Sequence, residues 1–378
     1  VTTGAAACPP STILICCIQL IGDVILTTPL IGILKDAFPD AAIDLLVKRG
    51  TGEFLEKDPR VRRVIYSEKG SVAPGEDRRG GYIGKIFRRY DLAINMNASD
   101  RGSFAALLAG TRTRVGFFVG RQWYKLLWRR LLFNRLIPMP YTIHVVRLCK
   151  LVADALQIET EKLTVAVFWD AEDEVRVGSR LTDAGVTGPF FVIHPFARWR
   201  YKYWQMERFV VLSDLVAERY NLHPVWTSSP AQEEIALLET TADRCRYRPA
   251  LVKGEFTLNQ MSCLLSRSSL YIGLDTAITH LAAATGVPLI ALYGPTIGER
   301  WSPWNNSGPL AQQCPLPRGV QQNGHIILIQ KDYPCIPCGK AGCDDAGAES
   351  PCMLGIEVDK VIEAVDSLMK TERSADEV

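Results

Sequence analysis

No stretch of this chain is long and apolar enough to cross a bilayer. The most apolar run, Ile13 to Leu34, is interrupted by Asp23 and carries glycine and proline. Nor does the N-terminal stretch read as a secretory signal. The opening VTTGAAACPPSTILICC has no basic segment, and its apolar run passes into a patterned strand and helix. The default expectation is a cytoplasmic protein. Charge of one sign is also lacking. The formal net charge is +2 at pH 7, so bulk charge selects no partner and any steering must come from local patches. No solenoid-type repeat and no long low-complexity segment occur. The first strand is not followed by G-x-G-x-x-G, which argues against an ordinary dehydrogenase. The eleven cysteines are an odd number and mostly scattered, as expected of reduced thiols.

What is present fits a soluble globular enzyme: 378 residues, 47% hydrophobic and 22% charged. That length suggests two domains of similar size. STILICCIQL (11–20) reads as a buried parallel strand, and Thr27 to Phe38 as a helix ended by Pro39-Asp40. AIDLLV, VRRVIYS and YDLAINM read as further strands. A second series starts near Phe190: PFFVIHPF, LHPVWTSS, SSLYIGLDT and VPLIALYG as strands, with WQMERFVVLSDLVAERY, AQEEIALLETTAD and AITHLAAATG as helices. Gly286 is a helix stop before Val287-Pro288. This is β-α-β alternation in two halves, an α/β fold. The halves are expected to join within residues 171–189, with Gly185, Gly188 and Pro189 marking a hinge. A last helix is expected at about residues 357–370.

Parallel α/β sheets hold ligands at the carboxyl ends of their strands. Four such ends stand out. Asp23 follows Gly22 after the first strand, and Gly22 is expected to allow a tight turn there. Asp275-Thr276 ends a strand and opens a helix, where free N–H groups and the helix dipole favour a phosphate. The same pair is also a plain N-cap, and the local pattern alone favours that. YGPT (293–296) adds a Gly-Pro turn and a hydroxyl suited to phosphate. HPFARWRYKYW presents Arg198, Arg200 and Lys202, cations for a departing diphosphate or simply a solvated basic loop. Glu233 and Glu234 follow another strand end. Either could accept from ribose hydroxyls, or serve only as acids at a helix N-terminus.

These stretches together resemble the lipopolysaccharide heptosyltransferase family, and most of all its heptosyltransferase III branch. The resemblance runs from IGDVILTTPLIGILKDAFPDAAIDLLV through YDLAINM, RTRVGF and HPFARWRYKYW to YIGLDTAITHLAAATGVPLIALYGPT and YPCIPCGKAGC. It implies a GT-B fold, two Rossmann-like domains facing across a cleft. The first (1–175) would bind the acceptor and the second (190–355) the ADP-sugar, and a C-terminal helix (356–378) would cross back to the first. It implies transfer of heptose from ADP-heptose to the lipopolysaccharide inner core, with inversion and with no cofactor required. By resemblance Asp23 is the catalytic base and Lys202 neutralises the diphosphate. Asp275 lies near the donor sugar with Thr276 and His280 beside it. Glu233 binds ribose, with Glu234 as the competing alignment, and Gly294, Pro295 and Thr296 form a phosphate loop. The open alternatives are a transferase acting on protein and a catalytically silent member of the fold.

Relatives place basic residues just before the Gly-Asp pair, in a pattern like Lys-x-Arg. This chain has Cys17 and Gln19 there. The stretch Arg112 to Arg135 mixes Arg112, Arg114, Arg121 and other cations with Trp123, Tyr124 and Trp128. It is read either as a contact to an anionic acceptor or to the inner leaflet, the latter a transient peripheral contact, or as an amphipathic helix with a solvated basic face. Nucleic acid is not expected as a partner. Cys335, Cys338, Cys343 and Cys352 could hold a structural zinc or iron ion, or stay as thiols or disulfides.

Overall fold

The N-terminal apolar run forms the strand its β-branched residues predict. It ends earlier than its hydrophobicity does, because Ile18 to Leu20 turn into a short helix. The computed structural model describes residues 8–67, 81–120 and 123–376, without the side chains of 123–126 and 371–376. The chain divides into two units, Val1–Ala166 and Val167–Val378.

The first unit runs β1 (Thr12–Cys17), α1 (Ile21–Ile25), α2 (Thr28–Ala37), β2 (Ala42–Val47), β3 (Arg63–Tyr66), α3 (Gly81–Ile86), β4 (Tyr90–Asn95), α4 (Asp100–Ala109), β5 (Gly110–Phe118), α5 (Trp123–Leu132), β6 (Arg135–Pro138) and α6 (Arg147–Ala155). Its sheet has the order β3-β2-β1-β4-β5-β6, and every pairing is parallel. Helices α3, α4 and α5 cover one face through Ile86, Ala105, Ala106, Ala109 and Leu132, packed on Leu14, Cys16, Leu46 and Ala93 of the strands.

The second unit runs α7 (Ala171–Asp183), β7 (Phe190–His194), α8 (Met206–Tyr220), β8 (His223–Ser228), α9 (Gln232–Ala242), β9 (Ala250–Lys253), α10 (Leu258–Ser266), β10 (Leu270–Leu274), α11 (Ala277–Thr285), β11 (Leu289–Leu292), α12 (Gly298–Trp301), β12 (Val320–Asn323), β13 (Ile326–Ile329), α13 (Pro351–Leu354) and α14 (Val358–Asp376). Its sheet order is β12-β13-β11-β10-β7-β8-β9, with only β12 antiparallel. Setting β12 aside, the two sheets repeat one winding. Each starts in the middle, grows outward through two strands, then returns and grows the other way, as in doubly wound dinucleotide folds.

Two observations bear on the expected domain bounds. The join was placed at residues 171–189, but α7 occupies that stretch. Asp170 and Asp173 close a capping box on it, Val177 and Leu181 are buried, and Asn259 Nδ2 donates to Phe168 O at 2.7 Å, so the segment belongs to the second unit. The last helix buries Val361, Ile362, Val365 and Leu368 in the core of the second unit, beside α8 residues such as Phe209 and Val216.

Candidate active site

The winding selects the site. In a doubly wound sheet, ligands bind where the strand order reverses, outside the carboxyl ends of the two central strands. In the second unit those strands are β7 and β10, paired through Gly273 and His194. The chain leaving β7 carries Lys202, and the chain leaving β10 carries Asp275 and Thr276. Adjacent β11 delivers Tyr293 to Thr296.

The structure brings three of these residues onto one atom. Lys202 Nζ lies 2.5 Å from Asp275 Oδ2, and Thr296 Oγ1 donates to the same oxygen at 2.5 Å. Asp275 is 8% exposed and Lys202 18%. A one-turn 3₁₀ segment, Arg200–Lys202, points the lysine back over the strand ends. The 294–296 loop is pinned by Gln330 Nε2, which donates to Gly294 O and Thr296 O at 2.9 Å each. Gly294 has no room for a side chain, since a Cβ there would meet Met353 Cγ at 2.8 Å. Asp275 therefore anchors a lysine and a threonine at the mouth of the sheet, both donors suited to phosphate oxygens.

Thr276 settles the local ambiguity in favour of the cap: its Oγ1 accepts from Ile278 N at 3.1 Å at the start of α11. The cap does not displace the ligand reading, because the start of α11 still lies beside Lys202 and Thr296. His280, one turn in, is buried with Nδ1 lacking a hydrogen-bond partner. Burial pulls its pKa down to about 4, with Asp275 opposing the shift and Lys202 adding to it, so the ring is neutral at pH 7. His194 is also buried neutral, its pKa lowered to about 4 by burial, but its Nδ1 is spent on Thr227 Oγ1 at 2.8 Å.

Glu233 and Glu234 separate at the first turn of α9. Glu234 Oε2 accepts from Ser229 N at 2.9 Å and braces its own loop. Glu233 is exposed. Both carboxylates and Arg200 lie close enough to perturb the half-buried Tyr203, whose hydroxyl is raised by burial first and by Glu234 next. The start of α9 and the Lys202 loop are thus neighbours.

In the first unit the reversal lies between β1 and β4. Asp23 sits directly past the end of β1, in the first turn of α1. Gly22 is inside that helix and is absent from the glycines with positive φ, so the expected tight turn is a helical one. Thr27 Oγ1 donates to Asp23 O at 2.9 Å and lies 3.6 Å from Cys17 Sγ. The Cys17 thiol is pushed up to about 12 by burial and then by the Asp23 charge. Cys17 is therefore a core residue beneath the carboxylate, and a lysine at that position would have to be buried. Gln19 is half-buried nearer the surface.

The sequence reading missed Asn97, two residues beyond β4 and so across the reversal from Asp23. It is 7% exposed, and neither its amide oxygen nor its amide nitrogen has a hydrogen-bond partner. A polar residue just after a predicted strand was the available signal. Arg112 lies near the start of β5, toward the opposite end of the sheet from Asp23, and Arg114 at its middle, level with Ala93 of β4. Arg112 Nη2 donates to Cys8 O at 2.9 Å, and Arg114 Nε to Leu132 O at 2.6 Å. Arg121 lies outside the described residues. Cys335, Cys338 and Cys343 are exposed and Cys352 is buried. Cys343 and Cys338 are close enough to help burial raise the Cys352 thiol. Among the described residues, however, no group of three or more His, Cys, Asp or Glu is gathered in a way that could hold a metal ion.

The glycosyltransferase family 9 (heptosyltransferase) model matches residues 84–316. Lipopolysaccharide heptosyltransferase 3 of Escherichia coli is 30% identical over 297 residues, covering 76% of this chain and 84% of that protein. Among solved structures, a family 9 glycosyl transferase from Veillonella parvula superposes with a TM-score of 0.73 at 18% identity, covering 96% of this chain and 97% of the other. The E. coli ADP-heptose heptosyltransferase II superposes with a TM-score of 0.70 at 19% identity, covering 96% and 99%. The two superpositions establish the fold as α/β of the GT-B type, with two Rossmann-like domains. With the family model spanning more than half the chain and a 30% identical relative covering most of it, the chain belongs to glycosyltransferase family 9, the heptosyltransferases.

Proposed function

We propose that this enzyme transfers a heptose from ADP-heptose to the inner core of lipopolysaccharide with inversion at the anomeric carbon. The observation that carries the reading is the convergence of Lys202 and Thr296 on Asp275 at the reversal point of the second sheet, beside the start of α11. A diphosphate there meets an ammonium, a hydroxyl and a helix N-terminus. Glu233 takes the ribose hydroxyls, since Glu234 is engaged by Ser229 N. The neutral His280 ring offers its unpaired Nδ1 to the donor.

Asp23 is the general base. An acceptor hydroxyl is a poor nucleophile at pH 7, and a carboxylate within hydrogen-bond reach takes its proton as the oxygen attacks. The new bond forms between that oxygen and the anomeric carbon. The bond from the anomeric carbon to the β-phosphate oxygen breaks, and its electron pair leaves with ADP. Negative charge grows on the diphosphate in this step, and Lys202 is placed to meet it. Asn97 supplies a buried amide to orient an acceptor hydroxyl. The positive charge comes from Lys202 and the helix, and no metal is called upon.

The test is transfer from ADP-heptose to defined acceptors. Transfer to a heptose-bearing core lipid supports the proposal, while transfer only to polypeptide, or donor binding with no turnover, overturns it. Asp23→Ala should abolish transfer and leave ADP-heptose binding nearly intact. Near-normal turnover in that variant would remove Asp23 as the base.

A further inference from the structure

Helices α3, α4 and α5 form one layer whose inner side is buried on the first sheet. Their outer side is apolar as well. Ile83 and Phe87 at α3, Phe104 on α4, and Leu127, Trp128 and Leu131 on α5 are all exposed, Leu131 by 78%. Spacing and contacts make these a surface rather than scattered residues. Ile83 and Phe87 are four apart and joined by a continuing helical turn, Phe87 N to Ile83 O at 2.9 Å. Leu127 and Leu131 are also four apart on α5. The Phe104 and Trp128 rings meet at 5.3 Å between centroids and tie α4 to α5. A helix layer that is apolar on both sides needs a second apolar partner, and contiguous apolar patches of this kind mark interaction sites.

Charge identifies the partner. Exposed Lys85, Arg88, Arg89, Arg101 and Arg130 lie on or next to the same three helices. Arg101 is three residues from Phe104, and Arg130 is three from Leu127, so each falls on the face of its apolar neighbour. The one acid in α3, α4 and α5 is Asp100, and Arg129 takes it at 3.3 Å. Arg129 itself is buried and spent on Phe117 O and Ala98 O. Apolar side chains rimmed by cations, with Asp100 the one acid on the three helices, match a surface with an acyl interior and anionic headgroups. No helix among the described residues is long and apolar enough to cross a membrane, so the contact lies on the surface.

We propose that the outer face of the α3–α4–α5 layer docks the enzyme on an anionic phospholipid bilayer. The inference rests on the reading of a lipid-linked acceptor, because docking confines enzyme and acceptor to one surface and raises their effective concentration. It relocates the membrane contact expected for residues 112–135. Leu127, Trp128, Arg130 and Leu131 of that run take part, but Arg112 and Arg114 are tied down within β5 by bonds to Cys8 O and Leu132 O, and half of the exposed apolar residues come from α3 and α4.

The probe is cosedimentation with phosphatidylethanolamine vesicles containing phosphatidylglycerol, against neutral phosphatidylcholine vesicles. The full chain should pellet with the anionic vesicles, and binding should fall as salt rises. Leu127→Glu with Leu131→Glu should weaken binding by at least an order of magnitude, because both side chains enter the acyl boundary. Arg101→Gln with Arg130→Gln should weaken it by about fivefold per charge removed. Circular dichroism and thermal melting of the variants should match the parent, as all four side chains are exposed. Transfer to a soluble, delipidated core oligosaccharide should be unchanged in every variant, while transfer to vesicle-borne acceptor falls with binding. Parent protein that ignores anionic vesicles yet transfers to the oligosaccharide overturns the docking surface and leaves the proposed function standing. Vesicle binding without transfer does the reverse. A self-associating parent that Leu131→Glu turns monomeric, with no vesicle binding, assigns the face to a second copy and overturns the proposal.

Discussion

Lys202 and Asp275 should behave as a unit whose halves are costly to separate. Lys202→Met leaves a carboxylate that is 8% exposed with Thr296 as its remaining donor, and Asp275→Asn leaves an ammonium that is 18% exposed without its anion. Stranding one member of a fully buried pair costs about 3–5 kcal/mol. The ammonium keeps some water, so Asp275→Asn should cost about 2 kcal/mol and Lys202→Met about 3 kcal/mol. The double variant strands neither charge and should cost about 2 kcal/mol, a coupling of about 3 kcal/mol against the summed single costs. Six of the eight tryptophans lie in the second unit, so urea unfolding followed by tryptophan fluorescence reports on it directly. In a thermal melt each kcal/mol should appear as roughly 2–4 °C.

ADP supplies the decisive arm. Its diphosphate gives the stranded Lys202 a new anion, so saturating ADP should raise the melting temperature of Asp275→Asn by more than that of the parent. Lys202→Met should gain less than the parent. Its transfer rate should also fall by on the order of 10²–10³, the usual cost of removing one group that stabilises leaving-group charge. Additive single costs would refute the pair as a unit. Equal ADP stabilisation of Lys202→Met and the parent would refute Lys202 as the diphosphate's partner.

Asn97→Ala should leave stability unchanged, because neither amide atom loses a bond, while the KM for acceptor rises at constant donor affinity; a large stability loss would make the residue structural. Asp44 is fully buried and bonded by Arg62 and Arg63 at 2.8 Å and by Tyr90 at 2.6 Å. Burial pushes its pKa up, but the bonds from Arg62, Tyr90 and Arg63 outweigh this and hold it below the usual carboxylate range. A depressed carboxylate adds stability above its unfolded pKa and loses it as pH falls through the folded one. Asp44→Asn should therefore cost about 2 kcal/mol at pH 7, with the gap to the parent narrowing below about pH 4 in urea titrations; a widening gap would reverse the sign. In native protein Cys8, Cys335, Cys338 and Cys343 should react quickly with a thiol reagent, and the buried Cys16, Cys17 and Cys149 only on unfolding. Slow modification of Cys335, Cys338 and Cys343 in the native protein would contradict their exposure.

Strands were legible wherever burial on both faces removed polar residues, as in β1, β7, β10 and β11, all five- or six-residue apolar runs except the four-residue β11. Strand order was not, because nothing local in VRRVIYS says which neighbour it pairs with. That order makes sense of the site. The reversals between β1 and β4 and between β7 and β10 bring Asp23, Lys202 and Asp275, spread over about 250 residues, to the carboxyl ends of central strands, where such sheets hold ligands. Choices between adjacent side chains were beyond reach for the same reason. Glu233 and Glu234 are equivalent in composition, and only the bond from Ser229 N to Glu234 tells them apart. Arg112 and Arg114 looked available because a cation in a strand carries no label for which end of the sheet it occupies. The missing basic residues before Asp23 also change meaning. With Cys17 sealed beneath the carboxylate, the anionic groups of the proposed acceptor would be met by side chains outside that loop, and the buried thiol, raised to about 12, stays neutral and adds no charge beside Asp23.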